Sequence, residues 1–186
     1  MPKIMYVSNA SWYLFNFRSN IMQEMLKHGW EVVGIAPDDG YAKRLKDMGI
    51  RFINLIMDRK GLNPLKDLRL LYYFIRLYRH EKPIIVHHFT IKPVIYGSLA
   101  ARYVRIPGIV NSVPGLGYVF IKGGILQSIV EKMYKFALHP PAQVIFQNPD
   151  DENIFLEKKL VTHEQTHLIR GSGVNIELFS PDKFYL

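Results

Sequence analysis

Cysteine is absent from the 186 residues. Its absence excludes disulfide bonds and thiolate metal sites, and it fits a reducing compartment. No apolar run reaches the roughly 18–20 residues that a membrane-spanning helix needs, and the first apolar run is too short for a signal peptide. Any contact with a membrane is therefore expected to be peripheral. No stretch completes a G-x-G-x-x-G or P-loop motif, which disfavours a dinucleotide site or an NTPase.

Acidic residues are the scarcer charged class. The chain has 16 Asp and Glu against 24 Lys and Arg, so its formal net charge is +8. This surplus favours an anionic partner such as a phosphate, a nucleotide or an acidic lipid. No nucleic-acid-binding module is recognisable, so nucleic acid is not expected as a partner. With 48% hydrophobic residues, the chain is long and apolar enough to bury a core.

Short apolar segments alternate with amphipathic ones along the whole chain. Strands are predicted at residues 3–8, 31–36, 51–57, 84–87, 107–113, 143–147 and 166–169. Helices are predicted at residues 14–28, 41–48, 65–80, 94–105, 125–138 and 149–160. This alternation predicts right-handed βαβ crossovers, and hence an α/β fold with a Rossmann-like, doubly wound parallel sheet.

A histidine pair ends the strand predicted at residues 84–87, which begins with three β-branched residues. Ligands of open α/β sheets bind outside the carboxyl ends of the strands, so His87, His88, Thr90 and Lys92 are candidate site residues. Neighbouring residues of a strand point to opposite faces, which disfavours a metal site at this pair. Because the strand is predicted to end near His87, we expect His88 to face the cleft and His87 to support it from the core.

The helix predicted at residues 65–80 has two distinct sides. Its core stripe is predicted to comprise Leu68, Leu71, Ile75 and Tyr78. Its other side, called the basic face below, comprises Lys66, Arg69, Tyr73, Arg76 and Arg79. Interleaved arginine and tyrosine suit an anionic membrane surface or single-stranded nucleic acid, although an ordinary solvated surface has the same composition.

Four linked motifs resemble those of bacterial family 4 glycosyltransferases, above all the enzymes that extend sugars on an undecaprenyl-diphosphate carrier. The motifs are Ser8-Asn9 and residues 85–93, 111–120 and 171–175. The resemblance implies the N-terminal half of a GT-B fold, retaining chemistry, and no metal or other cofactor apart from the nucleotide sugar as donor. In this family the N-terminal domain mainly holds the acceptor and the C-terminal domain the donor. Residues 1–176 are accordingly expected to form the acceptor-binding domain, and 177–186 to begin a linker to an absent donor domain.

The resemblance also implies roles for individual residues. His88 and His87 would be catalytic, although relatives often carry His-x-His and Phe89 occupies the second position here. Arg170 and Ser172 would face the missing domain. The acceptor-binding residues implied are Asn9, Thr90, Lys92, Gly115, Gly117, Tyr118, Arg170 and Ser172.

The sequence leaves three functions open. The first is the acceptor side of a glycosyltransferase that moves a sugar from a nucleotide sugar to a lipid-linked saccharide in cell-surface polysaccharide synthesis. Such a protein would lie in the cytoplasm on the inner face of the membrane, and would need a C-terminal domain in cis or in trans for activity. The second is a non-catalytic membrane-docking subunit that recruits a separate donor-binding chain. The third is a nucleotide-binding α/β protein of another class.

Overall fold

A computed structural model describes residues 1–58, 63–116 and 124–173. The strands in this part of the chain are β1 Lys3–Val7, β2 Glu31–Ala36, β3 Arg51–Asn54, β4 Ile85–Phe89, β5 Gly108–Val113, β6 Gln143–Phe146 and β7 Thr166–Leu168. The helices are α1 Ser11–Lys27, α2 Ala42–Asp47, α3 Pro64–Glu81, α4 Ser98–Val104, α5 Gly124–Ala137 and α6 Pro149–Glu157. A π-helical turn, Pro93–Gly97, precedes α4, and a 3₁₀ turn, His163–Gln165, precedes β7. None of these helices is both long and apolar enough to cross a membrane.

The seven strands form one parallel sheet in the order β3-β2-β1-β4-β5-β6-β7. The predicted doubly wound, Rossmann-like sheet is thus confirmed. The strand order reverses between β1 and β4, where Tyr6 pairs with His87 and Val7 with His88. A crevice for ligands is expected outside the carboxyl ends of these two strands.

The two faces of the sheet are covered unequally. Helices α3, α4, α5 and α6 contribute to the larger apolar cluster on one face, and α1 and α2 to the smaller cluster on the other. No described residue of β5, β6 or β7 belongs to the smaller cluster. On that side Val110, Ile145 and His167 instead line a shallow, open groove.

The predicted core stripe of α3 is wrong by about one residue. The buried residues are Asp67, Leu70, Phe74 and Tyr78, with Leu71 and Ile75 only partly buried. Leu68 is 63% exposed. The helix carries apolar residues on most of its circumference, so the pattern does not determine its rotation. Asp67 forms a largely buried ion pair with Lys92, and this pair holds that side of the helix against the core.

The boundaries around β4 also differ from the prediction. The strand continues to Phe89, where the sequence predicted an end near His87. The helix predicted to begin at residue 94 starts with the π-helical turn Pro93–Gly97, a local feature that is frequent at functional sites. The N-terminus of α3, the helix that precedes β4, is as predicted. The Asn63 side chain caps it by accepting a hydrogen bond from the Lys66 backbone N–H at 3.2 Å, and Pro64 is the first helical residue.

Candidate functional site

A cavity of about 240 Å³ lies where β1, β4 and β5 end. We call it the edge cavity. Four of the predicted acceptor-binding residues line it: Asn9 follows β1, Thr90 and Lys92 follow β4, and Gly115 follows β5. The structure therefore brings these four residues together as expected, while their contact with a substrate stays a prediction.

A second cavity, of about 410 Å³, lies between the segment that follows β3 and the first turns of α3. We call it the α3 cavity. Lys66, Arg69 and Tyr73 of the basic face line it, and Asp58 and Lys92 line both cavities. The two cavities are thus neighbours, and the basic face of α3 extends outward from the second one.

Two lysines of these cavities are already neutralised by carboxylates. Lys92 Nζ lies 2.8 Å from Asp67 Oδ1 in a largely buried pair, and Lys66 Nζ lies 2.7 Å from Asp58 Oδ2 in an exposed one. The hydrogen bond from Lys66 lowers the pKa of Asp58. Arg69 makes no ion pair with any residue that the structure describes. Arg69 is therefore the cation of the α3 cavity that is most available to an anionic ligand.

His88 lies in the core and lines neither of the two cavities. Its Nδ1 is 3.0 Å from Asn111 Oδ1 and its Nε2 is 2.9 Å from the Tyr78 hydroxyl. An amide oxygen only accepts, so Nδ1 carries the proton and Nε2 accepts from Tyr78. Burial lowers the pKa of His88 to about 4. The expectation that His88 begins a loop and faces the cleft is wrong, because β4 continues past it and its ring points into the larger apolar cluster.

His87 points to the opposite face of the sheet, as strand alternation predicts. Its Nε2 lies 2.8 Å from Ser112 Oγ, and Ser112 lines the edge cavity. Burial lowers the pKa of His87 to about 3, with smaller contributions from the positive charge of Arg18 and from His88. Its supporting position in the core is thus as expected, and both histidines are neutral at physiological pH. A catalytic role for either one stays a prediction.

Asp39, in the loop after β2, places a carboxylate at the start of α1. Asp39 Oδ1 accepts hydrogen bonds from the Trp12 backbone N–H, at 2.8 Å, and from the Ser11 hydroxyl. A helix N-terminus attracts negative charge, and here a carboxylate of the same chain occupies it. We therefore place no phosphate at the N-terminus of α1.

The remaining predicted site residues lie apart or outside the described residues. Arg170 is exposed after β7, and Ser172 Oγ accepts a hydrogen bond from Gln147 Nε2 at 3.1 Å. Neither lines the edge cavity. Gly117 and Tyr118 lie outside the described residues. The five residues of the basic face are all exposed on α3, so its position is as predicted and its binding to membranes stays a prediction.

Ser112 is a site residue that sequence reasoning missed. It precedes Val113-Pro114-Gly115 at the carboxyl end of β5, so the rule that pointed to Thr90 would also have found it. Within the described ranges, no group of three or more His, Asp or Glu side chains is arranged to hold a metal ion.

Known sequences supply an independent comparison. The profile of a family described as glycosyl transferase 4-like matches residues 3–148. A Campylobacter jejuni protein named N,N'-diacetylbacillosaminyl-diphospho-undecaprenol alpha-1,3-N-acetylgalactosaminyltransferase is 26% identical over 96% of this chain and 48% of its own length. An Escherichia coli UDP-Gal:alpha-D-GlcNAc-diphosphoundecaprenol alpha-1,3-galactosyltransferase is 26% identical over 66% of this chain and 31% of its own length. The chain thus spans half or less of the curated relatives it matches.

Solved structures share the fold. A Rickettsia africae glycosyltransferase superposes with a TM-score of 0.70 at 15% identity, over 97% of this chain and 46% of that protein. Anabaena HepE, crystallised with UDP and glucose, superposes with a TM-score of 0.68 at 14% identity, over 98% of this chain and 48% of that protein. At these identities the likeness concerns the fold alone, and it is that of the Rossmann-like half of GT-B proteins, as the sequence motifs implied.

Proposed function

The chain belongs to the glycosyl transferase 4-like family, and from this premise we propose that it is the acceptor-binding side of a glycosyltransferase. The reaction would move a sugar from a nucleotide sugar to a saccharide carried by a lipid diphosphate, in the synthesis of cell-surface polysaccharide. The names of the two curated relatives support this class of acceptor, since both contain diphospho-undecaprenol. Because the chain spans about half of the first relative, we propose that transfer also needs a donor-binding half.

The observation that carries the proposal is the adjacency of two unlike cavities. The edge cavity is lined by neutral polar groups, together with an aspartate and a lysine that already have partners, which suits a sugar. The α3 cavity next to it contains Arg69, which suits a diphosphate. A sugar and the diphosphate attached to it would occupy the two cavities together, with the lipid chain leaving along α3.

The outer surface of α3 supports the same arrangement. Leu65 is 74% exposed, Leu68 63% and Tyr72 61%, and they share the solvent side of the helix with the arginines of the basic face. A helix that exposes apolar and cationic side chains together is suited to lie in the headgroup region of an anionic membrane. We also propose that the chain acts on the inner, cytoplasmic face of the cell membrane, with this side of α3 against the lipid.

Binding measurements on the chain alone test the acceptor assignment. We expect farnesyl diphosphate, a short soluble analogue of the lipid carrier, to bind, and Arg69→Gln to weaken its binding by about tenfold, as loss of a charge-assisted hydrogen bond would. Lys43→Gln, the same loss of charge on α2, should have no effect.

Two results would redirect the assignment. Binding to anionic vesicles without any binding of farnesyl diphosphate would favour a docking subunit. Tighter binding of UDP than of farnesyl diphosphate would favour a nucleotide-binding protein of another class.

A further inference from the structure

Two residues with hydroxyl groups, Thr90 and Ser112, lie at the end of the sheet where β4 and β5 stop. Phe89, the last residue of β4, pairs with Ser112 of β5, so Thr90 begins the loop beside Ser112. Both residues line the edge cavity. The edge cavity therefore has a hydroxyl-bearing residue from each of these two neighbouring strand ends.

Thr90 combines two unfavourable features. Its φ is 69°, in the left-handed region that a β-branched residue rarely adopts. A hydrogen bond from the Val94 N–H to the Thr90 carbonyl oxygen, at 3.0 Å, stabilises this conformation. Its Oγ1 is buried and has no hydrogen-bond partner. Strain and an unpaired hydroxyl on one residue at a cavity are typical of a group that is held ready for a ligand.

Ser112 is held from behind by His87. The residue is 3% exposed, and its Oγ lies 2.8 Å from His87 Nε2. Arg18 stands on the same side of the sheet, with its guanidinium 4.5 Å from the centroid of the Phe89 ring and no carboxylate partner among the described residues. Burial, and to a smaller extent this cation, disfavours a second proton on His87. A neutral imidazole fixes one hydrogen bond of the Ser112 hydroxyl and leaves the rest of its hydrogen-bonding capacity for the cavity.

The charges around the cavity favour a neutral ligand. Lys92 is paired with Asp67 and Asp58 with Lys66. Asn9 adds a third neutral polar group, and Val94 and Met57 add apolar surface. This mixture matches the hydroxyls and the apolar face of a sugar ring better than it matches a diphosphate.

We propose that Thr90 and Ser112 together bind the hydroxyls of the acceptor's sugar ring, and that His87 is the positioning residue that orients Ser112. The inference rests on the proposed function and deepens it, because it separates recognition of the sugar from recognition of the diphosphate. Sugar selectivity would then be determined at the carboxyl ends of β4 and β5, and affinity for the carrier by α3.

The test compares two probes, farnesyl-diphospho-GlcNAc and farnesyl diphosphate, by calorimetric titration of the whole chain. Ser112→Ala and Thr90→Val should each weaken binding of the sugar-bearing probe by about tenfold and leave binding of farnesyl diphosphate unchanged. Thr90→Ser, which keeps the hydroxyl, should retain most of the affinity. Ser128→Ala, an exposed serine on α5, is the matched control.

The positioning role needs a second comparison. His87→Leu should weaken binding of the sugar-bearing probe in the native background and have no further effect in the Ser112→Ala background, while His87→Gln should restore part of the affinity. Melting temperatures measured alongside identify any variant that fails to fold. Equal weakening of both probes by Ser112→Ala, or a further loss from His87→Leu in the absence of the Ser112 hydroxyl, would overturn the proposal. Failure of both probes to bind the unmodified chain would instead overturn the proposed function, and this inference with it.

Discussion

Gly97 lies directly against the ring of His88. A Cβ atom built on Gly97 would come within 2.5 Å of His88 Cδ2 and Nε2, closer than side-chain carbons approach one another in proteins. The π-helical turn that ends at Gly97 is thereby packed on a buried, hydrogen-bonded imidazole. The turn and the histidine are therefore expected to be energetically coupled.

A double-mutant cycle measures this coupling. Gly97→Ala should lower the free energy of unfolding by about 1–3 kcal/mol, the usual cost of overpacking a core. His88→Ala should also destabilise, by about 1–3 kcal/mol, because it leaves the Tyr78 hydroxyl without its partner and leaves Asn111 Oδ1 with only its hydrogen bond from Ser98. Together the two changes should cost less than their sum, since the ring that Gly97→Ala would strike is gone. Urea unfolding of the four proteins gives the answer, with Gly115→Ala, which has open space, as the control. Strict additivity would contradict the coupling.

Stability should fall as the pH is lowered from about 6.5 towards 4. The folded-state pKa values of His88 and His87 are about 4 and about 3, both below the ordinary value of 6.5. The unfolded chain therefore binds more protons in this range, and stability rises with pH. The stabilisation is fully present above 6.5 and is lost as the pH falls through the folded values, with a loss on the order of 3 kcal/mol for each histidine by pH 4.

Urea midpoints measured between pH 7 and pH 4.5 test this dependence. His87→Gln and His88→Gln should each flatten the slope, whereas His139→Gln, at an exposed position, should not. Parallel slopes for all four proteins would show that the buried histidines do not determine the acid sensitivity. Glu81 is expected to matter only at lower pH, because hydrogen bonds from Arg51, and then from Lys3, lower its pKa to about 2.

Removing one partner of the Lys92–Asp67 ion pair should destabilise the protein more than replacing both partners with apolar residues. The two side chains are 12% and 6% exposed. Asp67→Asn should cost about 3 kcal/mol, because it leaves a lysine with little access to water and without its ion-pair partner. Replacing both partners with apolar residues, as in Asp67→Leu with Lys92→Met, should recover most of that loss. Lys66→Met, at the exposed pair with Asp58, should leave the urea midpoint near that of the unmodified chain. A double variant that is less stable than Asp67→Asn would refute the explanation.

Vesicle binding should depend on both kinds of side chain on α3. Arg69→Glu with Arg76→Glu should release the chain from anionic vesicles, since each basic residue near such a surface contributes about 1 kcal/mol. The native binding should weaken with salt, because the attraction is screened over about 8–10 Å. Leu65→Ser with Leu68→Ser should remove the binding that survives high salt. Sedimentation with vesicles measures each case. The control is Lys43→Glu with Lys46→Glu, which makes the same charge change on exposed positions of α2. Equal loss in the control would show that net charge, rather than this face, is responsible.

The sequence predicts the sheet better than it predicts the rotation of the helices. Short apolar segments separated by turn residues correctly predict all seven strands, even though β5, β6 and β7 are not covered by an apolar cluster on both faces. The rotation of α3 is not predictable in the same way, because the burial of Asp67 depends on Lys92, which is 25 residues away. The end of β4 is missed for a related reason, since His88 is polar and is accommodated in the core only by partners on α3 and β5.

The candidate site, like the fold, is predictable from the sequence only in part. Thr90 is found from its position at a strand end, which is a property of the local sequence, whereas Asn9 and Gly115 are found through the resemblance of their motifs to those of family 4 glycosyltransferases. The pairing of His87 with Ser112 requires the register of β4 against β5, and the neutralisation of Lys92 requires the packing of α3. Neither relation is visible before the chain is folded.

The unequal covering of the sheet has a consequence for how the protein opens. Strands β1, β2 and β4 contribute to apolar clusters on both faces, whereas the described residues of β5 and β6 contribute to a cluster on one face only and those of β7 to neither. Backbone amides of β6 and β7 should consequently exchange with deuterium by local opening, long before those of β1, which require global unfolding. The free energy of local opening should thus decrease from the centre of the sheet towards β7. The loops that carry Asn9 and Thr90 follow the strands that open least.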